Sequence, residues 1–163
     1  MKALVISDTH VRKEEDINTL IEIIKPFMGE VDIIIHAGDS VSRSLVDLLD
    51  RLKPTYIVSG NMDYIDTASI LPEKMVFDLG RFRIGLTHGW GHAPGLKERV
   101  FDFFKQDDVD AIIFGHSHQP YLGQRDGVLL LNPGSPTDTR FANRNTIAIL
   151  HADDELKAEI VDV

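Results

Sequence analysis

Apolar and polar positions fall into short blocks whose period switches repeatedly along the chain. Lys2 to Ser7 is apolar and rich in branched residues and runs into Asp8-Thr9-His10, which predicts a strand ending in a loop. From about Glu14 to Phe27, Ile17, Leu20, Ile21 and Ile24 recur at helical spacing. Val31 to Ile35 predicts a second strand. Leu45, Leu48, Leu49 and Leu52 give a helical apolar face before Pro54, and Tyr56 to Val58 a third strand. Strands alternating with helices in this way predict crossover connections and a mainly parallel sheet.

The pattern then changes. Met75 to Leu79 and Phe82 to Leu86 are joined by Gly80-Arg81, a hairpin signal, and a helix is predicted around Leu96 to Phe104. Ala111 to Phe114, Tyr121 to Arg125, Val128 to Leu131, Thr146 to Leu150 and Lys157 to Val161 follow as strands, with Asp126-Gly127 and Asp153-Asp154 as turns. These strands are too many for one comfortable sheet, so two packed sheets with helices outside are expected. No repeat, low-complexity stretch or linker interrupts the chain.

Composition narrows the chemistry. The 163 residues, 43% of them hydrophobic, suffice for a full core, and residues 1–163 are read as a single domain. There is no cysteine, so thiolate metal sites, disulfides and cysteine nucleophiles are excluded and any metal must be held by nitrogen and oxygen. The start of the chain lacks a basic-then-apolar leader and the apolar runs are too short to span a bilayer, so a soluble, cytoplasmic protein without a membrane partner is expected. The formal net charge of −9 is spread over several acidic runs, and no Lys/Arg cluster could follow a nucleic-acid backbone. Long nucleic acid is therefore disfavoured relative to a small substrate. A homo-oligomer is compatible with all of this.

The chemistry-bearing residues sit where strands end. Asp8 and His10, Asp39, Asn61, His88, and His116 with His118 each follow an apolar strand, and loops at strand C-termini converge on one edge of such sheets. Imidazole, carboxylate and amide oxygen together suit divalent metals used in hydrolysis. If two ions are held about 3.5–4 Å apart, Asp39 is the natural shared ligand, because Gly38 lets the backbone turn sharply and approach closely. Taken singly, Asp-Thr-His, Gly-Asp and Gly-Asn are ordinary turn chemistry. All of them in one order at strand ends are not.

The ordered series Asp8-Thr9-His10, Gly38-Asp39, Gly60-Asn61, His88-Gly89 and Gly115-His116-Ser117-His118 resembles the calcineurin-like metallophosphoesterase superfamily over nearly the whole chain. Its minimal length and the Asn132-Pro133-Gly134-Ser135 stretch look like the small bacterial and archaeal phosphodiesterase branch. The resemblance implies an α/β fold, a four-layer αββα sandwich of two mixed β-sheets packed face to face with helices outside, and a dinuclear metal site at strand C-terminal ends. It implies that Asp8, His10, Asp39 and His118 hold one metal and Asp39, Asn61, His88 and His116 the other. A hydroxide shared by the metals would then attack phosphorus in line with the leaving alkoxide. Mn²⁺ is expected, with Ni²⁺, Fe, Zn²⁺ and Co²⁺ also compatible with such ligands.

One departure stands out. Many members carry a histidine after Gly-Asn that protonates the leaving group, but here Met62 follows Asn61. Asn61 and His88 remain as catalytic candidates, and His92, in a glycine-rich loop, is a candidate acid as well as an ordinary loop residue. His36 is read as supporting a ligand from behind, His151 as a surface residue, and Asn132 to Ser135 as a tight turn rather than a substrate contact. Arg140 and Arg144 are read as solvated, and Trp90 either walls the site or covers the core. The expected function is hydrolysis of small phosphodiesters. A phosphomonoesterase, a nuclease with the same metals, or a non-catalytic scaffold of the retromer-subunit type are the alternatives.

Overall fold

The computed structural model describes residues 1–138 and 140–163. Ten strands form two five-stranded sheets. In the first, β1 (Lys2–Ile6), β2 (Ile33–His36) and β3 (Thr55–Ile57) run parallel, and β9 (Thr146–Ala152) and β10 (Leu156–Asp162) extend it antiparallel on the β1 side. In the second, β4 (Lys74–Leu79) pairs antiparallel with β5 (Phe82–Thr87). Parallel pairing then joins β5, β6 (Ala111–Ile113) and β8 (Val128–Asn132), and β7 (Tyr121–Arg125) closes the edge antiparallel to β8. Both sheets are mixed, as expected.

Strand alternation assigns the buried apolar side chains of the strands to layers of core on either face of each sheet. Ala3 and Val5 of β1, Ile35 of β2, Ala148 and Leu150 of β9, Ile84 and Leu86 of β5, and Leu129 and Leu131 of β8 meet between the sheets. The residues between them face outward. Leu4 and Ile6 pack with Leu20 and Ile24 of α1 (Glu14–Ile24) and with Leu45 and Leu49 of α2 (Arg43–Leu52). On the far side Ile112 and Leu130 pack with Leu96, Val100 and Phe104 at α4 (Leu96–Phe103). The result is a four-layer αββα sandwich. Truncating one of these buried leucines to alanine would cost about 2–5 kcal/mol.

Two details differ from the sequence expectation. The first helix was expected to reach Phe27, but the α-helix stops at Ile24 and a 3₁₀ turn covers Lys25–Phe27, since Pro26 cannot donate the next helical hydrogen bond. A short helix, α3 (Ile65–Ala68), was not foreseen: it carries no apolar period, and Ile65 is 89% exposed. Among the described residues no helix is long and apolar enough to cross a membrane.

Candidate metal centre

The parallel strands deliver their C-terminal loops to one edge shared by both sheets. Asp8 follows β1, Asp39 follows β2, Asn61 follows β3, His88 follows β5, and His116 and His118 follow β6. Backbone bonds tie these loops together: Asp8 N donates to Gly38 O at 3.0 Å, His10 N to Asp39 O at 3.0 Å, and Gly115 N to His88 O at 3.1 Å. His116 N donates to Asp8 Oδ2 at 3.0 Å, which stitches the second sheet to the first.

The backbone here is unusual. Asp8, His10, Asp39, Val41, His116 and His118 all have positive φ, between 49° and 74°. Non-glycine residues avoid this region, and each such residue costs on the order of 1 kcal/mol or more. Surrounding bonds hold the strain. Ser135 Oγ donates to Asp8 O at 2.8 Å and Thr137 Oγ1 to Thr9 O at 2.9 Å. Asp63 accepts from Val41 N at 2.5 Å and Gly60 N at 2.8 Å, clamping the Asp39 loop to the Asn61 loop. A Cβ at Gly38 would lie 2.7 Å from the His88 ring, so the close approach expected of that glycine is present.

The side chains converge on their acceptor atoms. His88 Nδ1 lies 2.7 Å from Ala37 O, a contact that requires a proton on Nδ1, so the neutral ring carries its lone pair on Nε2. The same logic gives His118, with Nδ1 donating to Asp138 Oδ2 at 2.6 Å, an inward lone pair on Nε2. In His116, Nε2 donates to Gly91 O at 2.6 Å and Nδ1 faces Asn61 Oδ1 at 2.9 Å. Those nitrogens meet carboxylate and amide oxygens and a second imidazole: His88 Nε2 is 3.3 Å from Asp39 Oδ2 and 3.2 Å from Asn61 Oδ1, and His118 Nε2 is 3.2 Å from Asp8 Oδ1 and 3.2 Å from His10 Nε2.

Acceptors do not crowd together without positive charge between them. Asp8 Oδ1 is fully buried and has no hydrogen-bond donor among the described residues, as befits an oxygen that faces a cation. Two groups can place ligand atoms around a common point, Asp8 with His10 and His118, and Asp8 with Asp39 and His88. Asp39 Oδ2 reaches both sides, at 3.3 Å from His88 and 3.9 Å from His10. The donor set is imidazole, carboxylate and amide oxygen without thiolate, which fits a hydrolytic divalent metal.

The proton affinities show the same demand for positive charge. Burial works against a charged His88, yet the Asp8 charge and the Asp39 bond outweigh it and raise its pKa to about 9. For His118 burial is again outweighed, by Asp8 and Asp138, and its pKa rises. Burial prevails at His10 over the pull of Asp39, and its pKa falls. Asp39 is lowered because His88 overcomes burial.

Supporting residues surround this centre. His36 is wholly buried and pushed down to about 4 by burial; its Nδ1 accepts from Gly38 N at 3.2 Å and its Nε2 meets Thr9 Oγ1 at 3.0 Å. It thus stands behind the Asp8 and Asp39 loops, as expected. Asn132 is buried and donates to Gly115 O at 2.7 Å while accepting from Gly134 N at 2.9 Å, which anchors the turn. Arg144 pairs with exposed Asp162 at 2.9 Å, while Arg140 lies beside the centre. His92 is exposed, and its ring joins none of the described hydrogen bonds of the centre; its carbonyl accepts from Arg99. Trp90 also lies at the surface, edge-on to Phe103 at 5.1 Å.

Two residues escaped the sequence reading. Asp138 orients His118, accepts from Arg140 N at 3.0 Å and Phe141 N at 2.9 Å, and is held far below the carboxylate range because His118 and these N–H groups outweigh burial. A lone aspartate in a loop carries no signal of its own. Asp63 had a visible position, two residues after Asn61, but its clamp depends on tertiary contact.

Comparison with known proteins agrees with this geometry. The calcineurin-like phosphoesterase superfamily domain matches residues 1–155. A probable metallophosphoesterase of Methanothermobacter thermautotrophicus is 33% identical over 160 residues, 96% of this chain and 90% of that protein. Zinc-bound Vps29 of Entamoeba histolytica is similar at 26% identity with a TM-score of 0.74, covering 99% of each chain. An archaeal phosphodiesterase shares the fold, with a TM-score of 0.73 at 24% identity over 99% of this chain and all of that one.

Proposed function

This chain belongs to the calcineurin-like phosphoesterase superfamily, and from that premise we propose that it hydrolyses small phosphodiesters using two divalent ions held at the strand-end centre. Asp8, His10, Asp39 and His118 would hold one ion and Asp39, Asn61, His88 and His116 the other, with Asp39 shared. When bound, such ions supply charge neutralisation for the phosphoryl oxygens and a water acidic enough to serve as nucleophile near neutral pH. The chain's own part is to keep the ligand lone pairs aimed inward. The Ala37 carbonyl does this for His88, Gly91 for His116 and Asp138 for His118. Mn²⁺ is our expectation among the metals that accept this set.

The observation that favours a diester over a monoester is a pair of clefts meeting at Asn61. One, of about 300 Å³, is lined by His10, Met62, His116, Arg140 and Phe141; the other, of about 340 Å³, lies beyond Asn61 and His88. A diester has two substituents to place and a monoester has one. Met62 donates only its N–H, to Asp39 Oδ1 at 2.7 Å, and offers no proton to a leaving group. Esters whose leaving group departs with little help are therefore favoured. The test is an assay of bis(p-nitrophenyl) phosphate with added divalent metals; no turnover with any of them sinks the proposal.

The interaction-protein reading has one observation in its favour, the exposed apolar side chains of Met62 and Phe141 at the rim of the centre. A folded, metal-loaded protein inert toward every diester and monoester tried would select it. The nuclease reading would be revived by DNA binding that weakens steeply with salt.

A further inference from the structure

Two aromatic residues that belong to none of the core clusters line the cleft beyond Asn61. Trp90 is 45% exposed and Phe103 37% exposed, and both line the cleft with Asn61 and His88 on its inner side. Single exposed aromatics are ordinary, but two in contact along one cleft form a contiguous apolar surface of the kind that marks a ligand groove.

These rings are also held in place. Arg99 Nε donates to Trp90 O at 2.9 Å and Nη1 to Pro94 O at 3.1 Å, and Nη2 bonds His92 O, so one guanidinium fixes three carbonyls of the loop. Gly89 and Gly91, at φ 92° and 79°, allow the sharp path that turns the indole outward. Beside the indole, Lys74 Nζ donates to Phe103 O at 2.7 Å, sits 4.5 Å from the Phe103 ring centroid, and is anchored by Asp107 at 2.6 Å. A surface fixed in advance loses little entropy on binding.

The charge of the lining limits what can enter. Glu73 is the one acidic residue there, and it belongs to no described ion pair. A second anionic group in this cleft would meet that carboxylate, whereas a neutral ring with N–H donors would not. The volume, about 340 Å³, is at the small end for ligand sites and suits one ring system rather than a chain.

We propose that this cleft is an ester-group subsite that receives one substituent of the phosphodiester as a flat, uncharged aromatic ring, such as a nucleobase, stacked on Trp90. The inference rests on the phosphodiesterase reading. Because Asn61 and His88 line this cleft and are also proposed ligands of the centre, an ester bound at the centre would have this cleft beside it for one substituent.

Trp90 is the only tryptophan, so its fluorescence reports the subsite without any turnover. With the Zn²⁺-loaded protein, adenosine should quench that emission saturably and ribose should not. In parallel, Trp90→Ala should raise KM for bis(p-nitrophenyl) phosphate about tenfold while changing kcat less than twofold, as loss of one stacked ring predicts. Trp90→Phe keeps a ring and should stay within threefold of the parent KM, which separates stacking from a folding defect. Normal turnover with no quenching and an unchanged KM in Trp90→Ala overturns the subsite and leaves the phosphodiesterase reading intact. Saturable quenching by adenosine in a protein that turns over no ester supports the ring site and defeats the hydrolase reading instead.

Discussion

Asp138 Oδ2 lies 2.6 Å from His118 Nδ1, so a buried carboxylate fixes which nitrogen of that imidazole faces the centre. Replacing Asp138 with Ala removes that constraint and leaves the ring free to rotate. Divalent metal affinity should fall about 10–100-fold, measured by calorimetric titration of metal-free protein. Asp138→Asn should fall less, since its amide oxygen can still accept the Nδ1 proton. Equal affinity in all three proteins would remove Asp138 from the centre.

Asp39 reaches both ligand groups through one oxygen, while the other accepts the Met62 N–H. Asp39→Asn keeps the volume and removes the charge. Elemental analysis should show fewer than two ions per chain, and diester hydrolysis should drop about 100-fold or more. If metal content and activity survive, the two-ion reading is wrong.

His92 projects from a loop whose carbonyls, not its ring, engage the structure. His92→Ala should therefore change kcat less than about threefold for diesters with good and poor leaving groups alike. A selective loss on poor leaving groups would show that His92 supplies their proton in a conformation other than this one.

The metal-free protein should be most stable near pH 6.5. His88 has a folded pKa of about 9 against an unfolded value near 6.5, so its contribution is complete below about 6.5 and disappears as pH rises through about 9. His36 has the opposite sign: with a folded pKa of about 4, its contribution is present above about 6.5 and is lost as pH falls toward 4. Thermal unfolding in a chelator across this range should give a dome. His36→Gln should flatten the acid side alone. Metal binding must displace the His88 proton, so metal affinity should climb with pH up to about 9.

Gly60 has no room for a side chain, because a Cβ would strike the Asp39 carboxylate and backbone. Gly60→Ala should destabilise the fold by about 1–3 kcal/mol and reduce metal content together. Gly29, with nothing within 4 Å of a Cβ, is the control, and Gly29→Ala should leave the melting temperature nearly unchanged. A stable, metal-replete Gly60→Ala protein would mean that the Asp39 loop is more compliant than its contacts suggest.

Much of this architecture was legible in the chain because two periods, alternating and helical, follow one another without ambiguity. The layer assigned to Leu4, Ile6 and Ile112 follows from alternation once the strands are known. The strand-end positions of Asp8, Asp39, Asn61, His88, His116 and His118 could be read for the same reason: each polar residue interrupts an apolar run. Asp138 could not, since its role is a contact spanning twenty residues, and loop aspartates are common. Trp90 was ambiguous because one residue type serves both cores and surfaces, and only the Arg99 clamp and the neighbouring cleft distinguish them. The 3₁₀ turn at Lys25 was visible in Pro26 but was obscured by the apolar residues around it.

The strand order also dictates when the centre can come into being. β1 leaves the ribosome first, yet its β9 partner begins at Thr146, and Ser135 and Asp138 brace Asp8 and His118 from near the end of the chain. A chain ending at Ile113 carries Asp8, His10, Asp39, Asn61 and His88 without His116, His118 or the Ser135 that braces Asp8. Its apolar β1 edge stays unpaired on one side until β9 is made. A fragment ending at Ile113 should therefore bind divalent ions more weakly than the chain that includes β9.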